Sequence, residues 1–303
     1  MSKRVSIVSI NYNQTRVTCE LLQSLRNLTY KDVEVILVDN YSPEDPSLEI
    51  TTSFPEVKYL RSEVNLGFAG GNNLGIKNST GDYIMFLNND TEVDPSFLEP
   101  LVELFETNPD AGLASSKILY FNSGGVIQYA GSTCINPFTG RNKRIGFMEK
   151  DNGQYNTICE TDLGHGAAMM VPRKVIEKIG VMPEFFFLYY EEVDWCESIK
   201  RAGYKIYFVP QSQVYHKESM SVGKNSTLKT YYLTRNRLLF MRRNTTGYVK
   251  VFWIVFFIMI SLPKNTLQFI VNREINHGKA FWKALLWNVT HLSNGRKMKL
   301  FVR

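Results

Sequence analysis

Tyr83-Ile84-Met85-Phe86-Leu87-Asn88-Asn89-Asp90 is the stretch on which the reading of this chain turns. Five successive apolar residues suit a strand buried on both faces, as in the middle of a parallel sheet. The polar triplet behind them then stands at the strand's carboxyl end, the edge along which open α/β sheets bind ligands. Asp90 offers a carboxylate there, and Asn88 a neutral amide oxygen or a partner for bound water. Oxygen donors on a rigid strand end suit a hard divalent cation and, through it, a diphosphate. A turn of this composition also has a purely structural use, so the segments around it must decide.

Working outward, the rhythm is strand, helix, strand. Val5–Ile10 alternates with period two, and Cys19, Leu22 and Leu25 recur at helical spacing within 18–28. Val33–Val38 and Val57–Leu60 read as further strands, and a helix over about 71–78 leads into the Tyr83–Leu87 strand. Pro95 is expected to open the next helix, running to about Thr107, and 111–120 to form a strand. Residues 121–161 lose the pattern and read as an irregular flap. Ala167–Val171, a helix from Pro172 to Gly180, a helix over 194–202 and the strand Tyr204–Val209 then restore it. This alternation predicts an α/β fold, a doubly wound and mostly parallel sheet with helices on both faces.

The bulk numbers agree. A chain of 303 residues, 44% hydrophobic and 21% charged, suits one large α/β domain with an appendage. Cys19, Cys134, Cys159 and Cys196 are scattered, which excludes a disulfide framework and a paired zinc motif. The amino terminus enters a strand without a long apolar leader, so a cytoplasmic location is expected.

Charge divides unevenly. Residues 1–216 carry 19 Lys and Arg against 27 Asp and Glu, whereas residues 217–303 carry 16 against two. A basic tail on an acidic body fits nucleic acid or an anionic membrane surface. Long apolar stretches interrupt the basic residues and argue against nucleic acid. Val251–Leu262 is twelve residues without a charge; as a helix it covers only ~18 Å, too short for a ~30 Å hydrocarbon core. An interfacial or re-entrant helix flanked by Arg242, Arg243 and Lys264 is therefore expected, against the plainer alternative of a helix packed on the main domain. The domain division is expected at 1–226 and 227–303.

Four further features bear on chemistry. Asp39 ends the second strand, where a carboxylate serves a ribose or base edge, or simply a turn. The segment Asn65-Leu66-Gly67-Phe68-Ala69-Gly70-Gly71-Asn72-Asn73 allows close backbone approach ahead of a helix, yet matches neither the P-loop nor the dinucleotide fingerprint. Glu191-Glu192-Val193-Asp194 packs three acids behind the aromatic run 185–190. Compensation of a helix dipole is one reading and a general base the other. On an ideal helix Glu191 and Asp194 share a face and Glu192 turns ~100° away. His216 is a candidate imidazole ligand, a donor better suited to manganese than to magnesium.

Taken in order, Ile10-Asn11-Tyr12-Asn13, Val38-Asp39-Asn40, the Asn65–Asn73 segment, Leu87-Asn88-Asn89-Asp90 and Phe187–Cys196 resemble family 2 glycosyltransferases with the GT-A fold, and within them a bacterial rhamnosyltransferase-like branch. The resemblance runs from Val5 to about Arg243. It implies that Tyr12, Asn13, Asp39, Asn40, Asn65, Gly67, Gly71, Asn73 and Asn88 serve the nucleotide sugar, and that Asp90 and His216 hold a divalent metal, Mn2+ or Mg2+. Gly164–Met169 resembles a loop lining the sugar and acceptor pocket. Glu191 or Glu192 would be the base, with Asp194 beside them, in an inverting transfer to a glycan or lipid-linked acceptor. Asn88 stands where relatives often carry an acid, and Glu-Glu where Asp is frequent. The alternatives are a non-catalytic nucleotide-sugar-binding protein and a sugar nucleotidyltransferase; the latter needs a basic Gly-rich loop near the first strand, which Tyr12-Asn13-Gln14-Thr15 does not supply.

Overall fold

Among the described residues ten strands form one sheet. β1 (Val5–Asn11) lies between β2 (Val33–Asp39) and β4 (Tyr83–Leu87), parallel to both, and β3 (Lys58–Arg61) extends the sheet beyond β2. On the other side come β9 (Ala168–Pro172), antiparallel to its neighbours, then β6 (Ala111–Tyr120), β10 (Lys205–His216) and the short β5 (Thr91–Val93). β7 (Ile127–Tyr129) pairs with β6 and β8 (Cys159–Glu160) with β10. A computed structural model describes residues 3–217 and 226–292.

The pairings fix where a site can lie. β1, β2, β4, β6 and β10 run in one direction, so their carboxyl ends share an edge, and β9 begins at it. The order reverses between β1 and β4, the switch point at which such sheets open a crevice. The Tyr83–Leu87 run is buried along its whole length, as its composition requires.

Helices cover the sheet: α1 (Thr15–Leu25), α2 (Ser47–Ser53), α3 (Gly67–Lys77), α4 (Glu99–Thr107), α5 (Arg173–Ile179) and α6 (Glu191–Arg201). Buried Val17, Leu21, Leu22 and Leu25 give α1 its inner stripe. α6 is seated by Trp195, whose ring meets Phe86 of β4 edge-on with centroids 5.7 Å apart.

Several local expectations are corrected. The Gly/Asn-rich segment is not a loop ahead of a helix; it forms the first two turns of α3. Glycine there answers close packing: a Cβ on Gly71 would come within 2.9 Å of Ile10, and one on Gly75 within 2.2 Å of Val8. Gly67 alone of these glycines has a positive φ, +70°, and a Cβ on it would meet the Phe187 carbonyl oxygen at 2.2 Å. Pro95 lies in a turn, where Asp94 accepts from the backbone and hydroxyl of Ser96, and the helix starts at Glu99 with Pro100 in its first turn. α6 begins at Glu191, so all three acids fall in its first turn. β10 runs on to His216 through two irregularities of register.

The described residues fall into two units. The first draws on the described residues of 3–133, 144–187 and 191–217; the second on those of 134–143, 188–190 and 226–292. In the second, α7 (Thr227–Asn244) packs against α10 (Ile275–Thr290), with the Arg235 guanidinium over Tyr232 and Trp287. Asn236, fully buried, donates to the carbonyls of Leu188 and Tyr189 at 2.7 Å each. The apolar tail segment is longer than composition suggests. α8 (Gly247–Phe256), a π-helical turn (Phe257–Ser261) and α9 (Leu262–Val271) form one run of 25 residues, long and apolar enough by length and composition to cross a membrane. The wide turn sits just ahead of Pro263, whose ring and missing N–H disturb the preceding helical bonds.

Candidate active site

Asp90 and His216 are brought together by the pairing of β5 with β10, in which His216 stands opposite Thr91 and the Lys217 N–H donates to the Asp90 carbonyl at 2.8 Å. Both side chains are buried, and His216 Nε2 lies 3.0 Å from Asp90 Oδ1. The other ring nitrogen, Nδ1, is 2.7 Å from the Oε1 of Gln128, itself buried on β7. With an amide oxygen accepting there, Nδ1 carries the hydrogen and Nε2 presents a lone pair to the carboxylate. Two lone-pair donors at that spacing need a proton or a cation between them. An imidazole nitrogen and a carboxylate oxygen are also ligands that manganese accepts, so the pair fits a divalent ion.

The loop 164–167, ahead of β9, passes directly beside this pair. His165 stacks at a tilt on Tyr129, centroids 5.3 Å apart, and its ring centroid is 6.4 Å from that of His216. Burial, aided by the nearby His216 and Arg144, pushes the His165 imidazole down to about 3, so it stays uncharged. Gly166 faces Phe68 and Glu192: a Cβ there would lie 3.5 Å from the Phe68 ring and 3.8 Å from Glu192 Cγ. The Gly164 N–H donates to Cys196 Sγ at 3.3 Å, and burial together with the charge of Glu192 holds that thiol up at about 12. Asp90, His216, the 164–167 loop and Glu192 therefore surround one part of the sheet's carboxyl edge.

The three acids are treated differently by the fold. Glu191 and Asp194 are buried, on the face of α6 turned to the sheet, and Glu192 is partly exposed beside Gly166. This is the division that helical geometry anticipates.

The nine residues expected to serve a nucleotide divide into two groups. Tyr12, Asn13 and Asn88 keep side chains with no hydrogen-bond partner among the described residues, at the carboxyl ends of β1 and β4. Asn88 is tied to the 164–167 loop through its backbone N–H, which donates to the Ala167 carbonyl at 3.0 Å. The others are engaged internally. Asp39 accepts from Asn11 Nδ2 (2.8 Å), the Ser42 hydroxyl (2.5 Å), the Ser42 N–H (3.1 Å) and Arg61 Nη1 (3.0 Å), and is fully buried. Asn40 donates to Asn65 Oδ1 and the Gly67 carbonyl and accepts from the Leu66 N–H. Asn73 clasps Met182 and Glu184. Gly67 and Gly71 fit α3 against Phe187 and β1. These residues shape the crevice; direct ligand contact by Asp39 would require displacing one of its donors.

Gln128 is a residue of this site to which the sequence assigned no role, and His165 entered only as part of the Gly164–Met169 loop, with no task of its own. Gln128 lies in the patternless stretch and carries no local signal. His165 stands inside the quoted loop, and its proximity to His216 is a product of sheet order.

A doubly wound sheet of this order, with oxygen and nitrogen donors gathered at its carboxyl edge, is built to bind a ligand at that edge, and comparisons with known proteins say to which class it belongs. The glycosyl transferase family 2 model matches residues 6–180, and the chain belongs to that family. It is 27% identical over 240 residues to the low-salt glycan biosynthesis hexosyltransferase Agl10 of Haloferax volcanii, covering 78% of this chain and 74% of that one. It is 23% identical over 248 residues to the N-acetylglucosaminyl-diphospho-decaprenol L-rhamnosyltransferase of Mycobacterium tuberculosis, covering 74% and 80%. Among solved structures, GalNAc-T7 with UDP, GalNAc and Mn2+ superposes with a TM-score of 0.60 at 17% identity, covering 86% of this chain and 57% of that one. The GT-A-type fold read from the sequence is the fold found, and the chain is a transferase of glycan biosynthesis.

Proposed function

We propose that this family 2 enzyme transfers a sugar, of the rhamnose kind, from a nucleotide-diphosphate donor to a hydroxyl of a glycan or lipid-linked acceptor in bacterial surface polysaccharide synthesis, with inversion and with a divalent cation. The observation that carries the reading is the convergence of Asp90, His216 and Glu192 around the 164–167 loop. Among the described residues no cluster of three or more His, Cys, Asp or Glu side chains suits a metal, so two protein ligands, Asp90 and His216, would hold the ion, and donor phosphates and water would complete it. When bound, it supplies positive charge against the departing diphosphate.

The chain's own residues do the rest. Tyr12, Asn13 and Asn88 present side chains to the nucleotide end, and the Asp39 and Asn40 networks hold that crevice open. Glu192, the least buried residue of the three, removes the acceptor hydroxyl proton as that oxygen attacks the anomeric carbon. The anomeric carbon–oxygen bond to the diphosphate breaks as the new one forms, the nucleoside diphosphate leaves, and a single displacement inverts the configuration. Glu191 and Asp194, buried beneath, hold the first turn of α6. The rhamnosyltransferase relative supports the donor and lipid-linked acceptor, and family membership disfavours the non-catalytic and nucleotidyltransferase alternatives.

An acceptor carried on lipid accords with the second unit. In Gly247–Val271 the side chains of Val251, Val255 and Met259, one helical turn apart, are 62%, 53% and 69% exposed. Exposed apolar surface on that scale marks an interaction site. Lys264, Asn265 and Gln268 interrupt the run, and with Lys250 and Arg273 they suit a helix lying in an anionic interface on the cytoplasmic side of the membrane. A thermal-shift screen of UDP-, dTDP- and GDP-sugars, with and without Mn2+, tests the reading: a metal-dependent rise in melting temperature with one donor is expected, and no response to any donor refutes it.

A further inference from the structure

Within the Gly164–Met169 loop, which by resemblance lines the sugar and acceptor pocket, one side chain, His165, has been given no task of its own. His165 Nδ1 accepts a hydrogen bond from the Ala167 N–H at 3.2 Å, so the ring hydrogen resides on Nε2. Among the described residues that Nε2–H has no hydrogen-bond partner, and the residue is half-buried, with part of its surface open. The ring is fixed by that bond and by Tyr129, and the backbone that carries it is fixed as well. The His165 N–H donates to the Ser115 hydroxyl at 3.0 Å, its carbonyl accepts from the Ala168 N–H at 3.0 Å, and Tyr129 stacks on it. Ser115 is itself fixed by donating to the Ala168 carbonyl at 2.9 Å. A donor so rigidly aimed loses little entropy when it meets an acceptor.

Position names the acceptor. On one side the ring neighbours His216, one of the two residues assigned to the diphosphate end. On the other, the adjacent Gly166 borders Glu192, the acid assigned to the acceptor hydroxyl. Between a diphosphate and the hydroxyl that displaces it stands the sugar being transferred. We propose that His165 is the residue that reads this sugar, its Nε2–H donating a hydrogen bond to one of the sugar's hydroxyl groups and thereby selecting the donor. The proposal rests on the function inferred above and adds a specificity-determining residue to it. A site built to pair with a hydroxyl discriminates sharply against a sugar that lacks it or turns it away.

The test separates sugar from diphosphate. Calorimetry in Mn2+ compares UDP, dTDP and GDP with whichever of their sugar derivatives wild type binds most tightly, in wild type, His165→Asn and His165→Gln. Asn keeps an oxygen for the Ala167 N–H and loses the distal donor, whereas Gln restores a donor near the Nε2 position. Expected is unchanged nucleoside-diphosphate affinity in His165→Asn, a sugar-nucleotide affinity lower by about tenfold, and recovery of most of that loss in His165→Gln. Sugar-nucleotide affinity in His165→Asn equal to wild type overturns the proposal. So does an equal loss for diphosphate and sugar nucleotide, which would make the residue a support of the His216 side. Wild type that binds neither ligand removes the underlying reading of the site and this proposal with it, a result visible before any variant is made.

Discussion

His216 Nε2 stands 3.0 Å from Asp90 Oδ1 across 126 positions of sequence, because β5 and β10 pair antiparallel at that point. Neither residue belongs to a local motif that mentions the other. Their meeting, with Gln128 fixing the far ring nitrogen, gives the carboxyl edge an imidazole–carboxylate pair whose chemistry can be tested directly.

Asp90→Ala and His216→Ala are expected to abolish the Mn2+ dependence of UDP or dTDP binding. Gln128→Leu, which leaves both donors in place and frees the ring, should weaken that dependence by about 10–100-fold. Calorimetric titration of nucleotide with and without Mn2+ measures all three. Metal dependence unchanged in Asp90→Ala would show that the pair binds no ion.

Glu192→Gln should lower turnover by about 10²–10⁴-fold while leaving donor affinity close to wild type, the expectation for loss of a general base. Glu191→Gln, made at a buried position, should instead lower the melting temperature and affect turnover less. Steady-state kinetics paired with thermal melts distinguish the two. Near-normal turnover in Glu192→Gln assigns the base elsewhere.

Lys117 is fully buried on β6, and its ammonium is held by Asp151 Oδ2 at 2.9 Å and Asn156 Oδ1 at 2.8 Å. The Lys117 bond and the Gly153 N–H hold the Asp151 carboxyl below its usual range, against the opposing effect of burial. Because the folded state binds this proton less readily than the unfolded one, the stabilisation is complete above the ordinary carboxylate range, near pH 4, and is lost as pH falls through the lowered value. Asp151→Asn leaves a buried unpaired charge and should cost about 3–5 kcal/mol at neutral pH. Its denaturant midpoint should respond less than that of wild type to acidification.

Replacing Val251, Val255 and Met259 together by Asp should release the full-length protein from vesicles containing phosphatidylglycerol. Each removes about 1.5–3 kcal/mol of apolar transfer, so sedimentation with vesicles should fall at least about a hundredfold. The three side chains are exposed, and the melting temperature without lipid should hold or rise. Equal sedimentation of triple variant and wild type would rule out a lipid contact through this face.

The centre of the sheet was legible in the unbroken apolar run Tyr83–Leu87, because burial on both faces leaves no other use for such a run, and β2 was legible in the β-branched residues of Val33–Val38, of which only Ile36–Val38 are fully buried. The asymmetry of the three acids was legible too, from helical geometry. The start of α3 was not, since glycine and asparagine signal loops by propensity, whereas Gly71 and Gly75 are there to let a helix lie close to Ile10 and Val8. Gln128, and the nearness of His165 to His216, were beyond reach for another reason: both depend on which strands become neighbours, and no local pattern encodes that.

β10 carries a consequence of its own. Val209 pairs with Ser116 and Gln213 with the very next residue, Lys117, so three residues of β10 are accommodated without partners, clasped by the Ser116–Ser212 hydroxyl contact at 2.7 Å. Strand side chains alternate faces, so a one-residue slip of register after that bulge reverses every side chain that follows. A residue lost at 210–212 must be absorbed either by a shorter bulge or by such a slip of Gln213–His216 against Lys117–Tyr120, and the slip would carry His216 away from Asp90 while leaving both identities untouched. A lineage could in this way lose the His216–Asp90 contact by a single codon loss, and a comparison based on which amino acids are retained would miss the event.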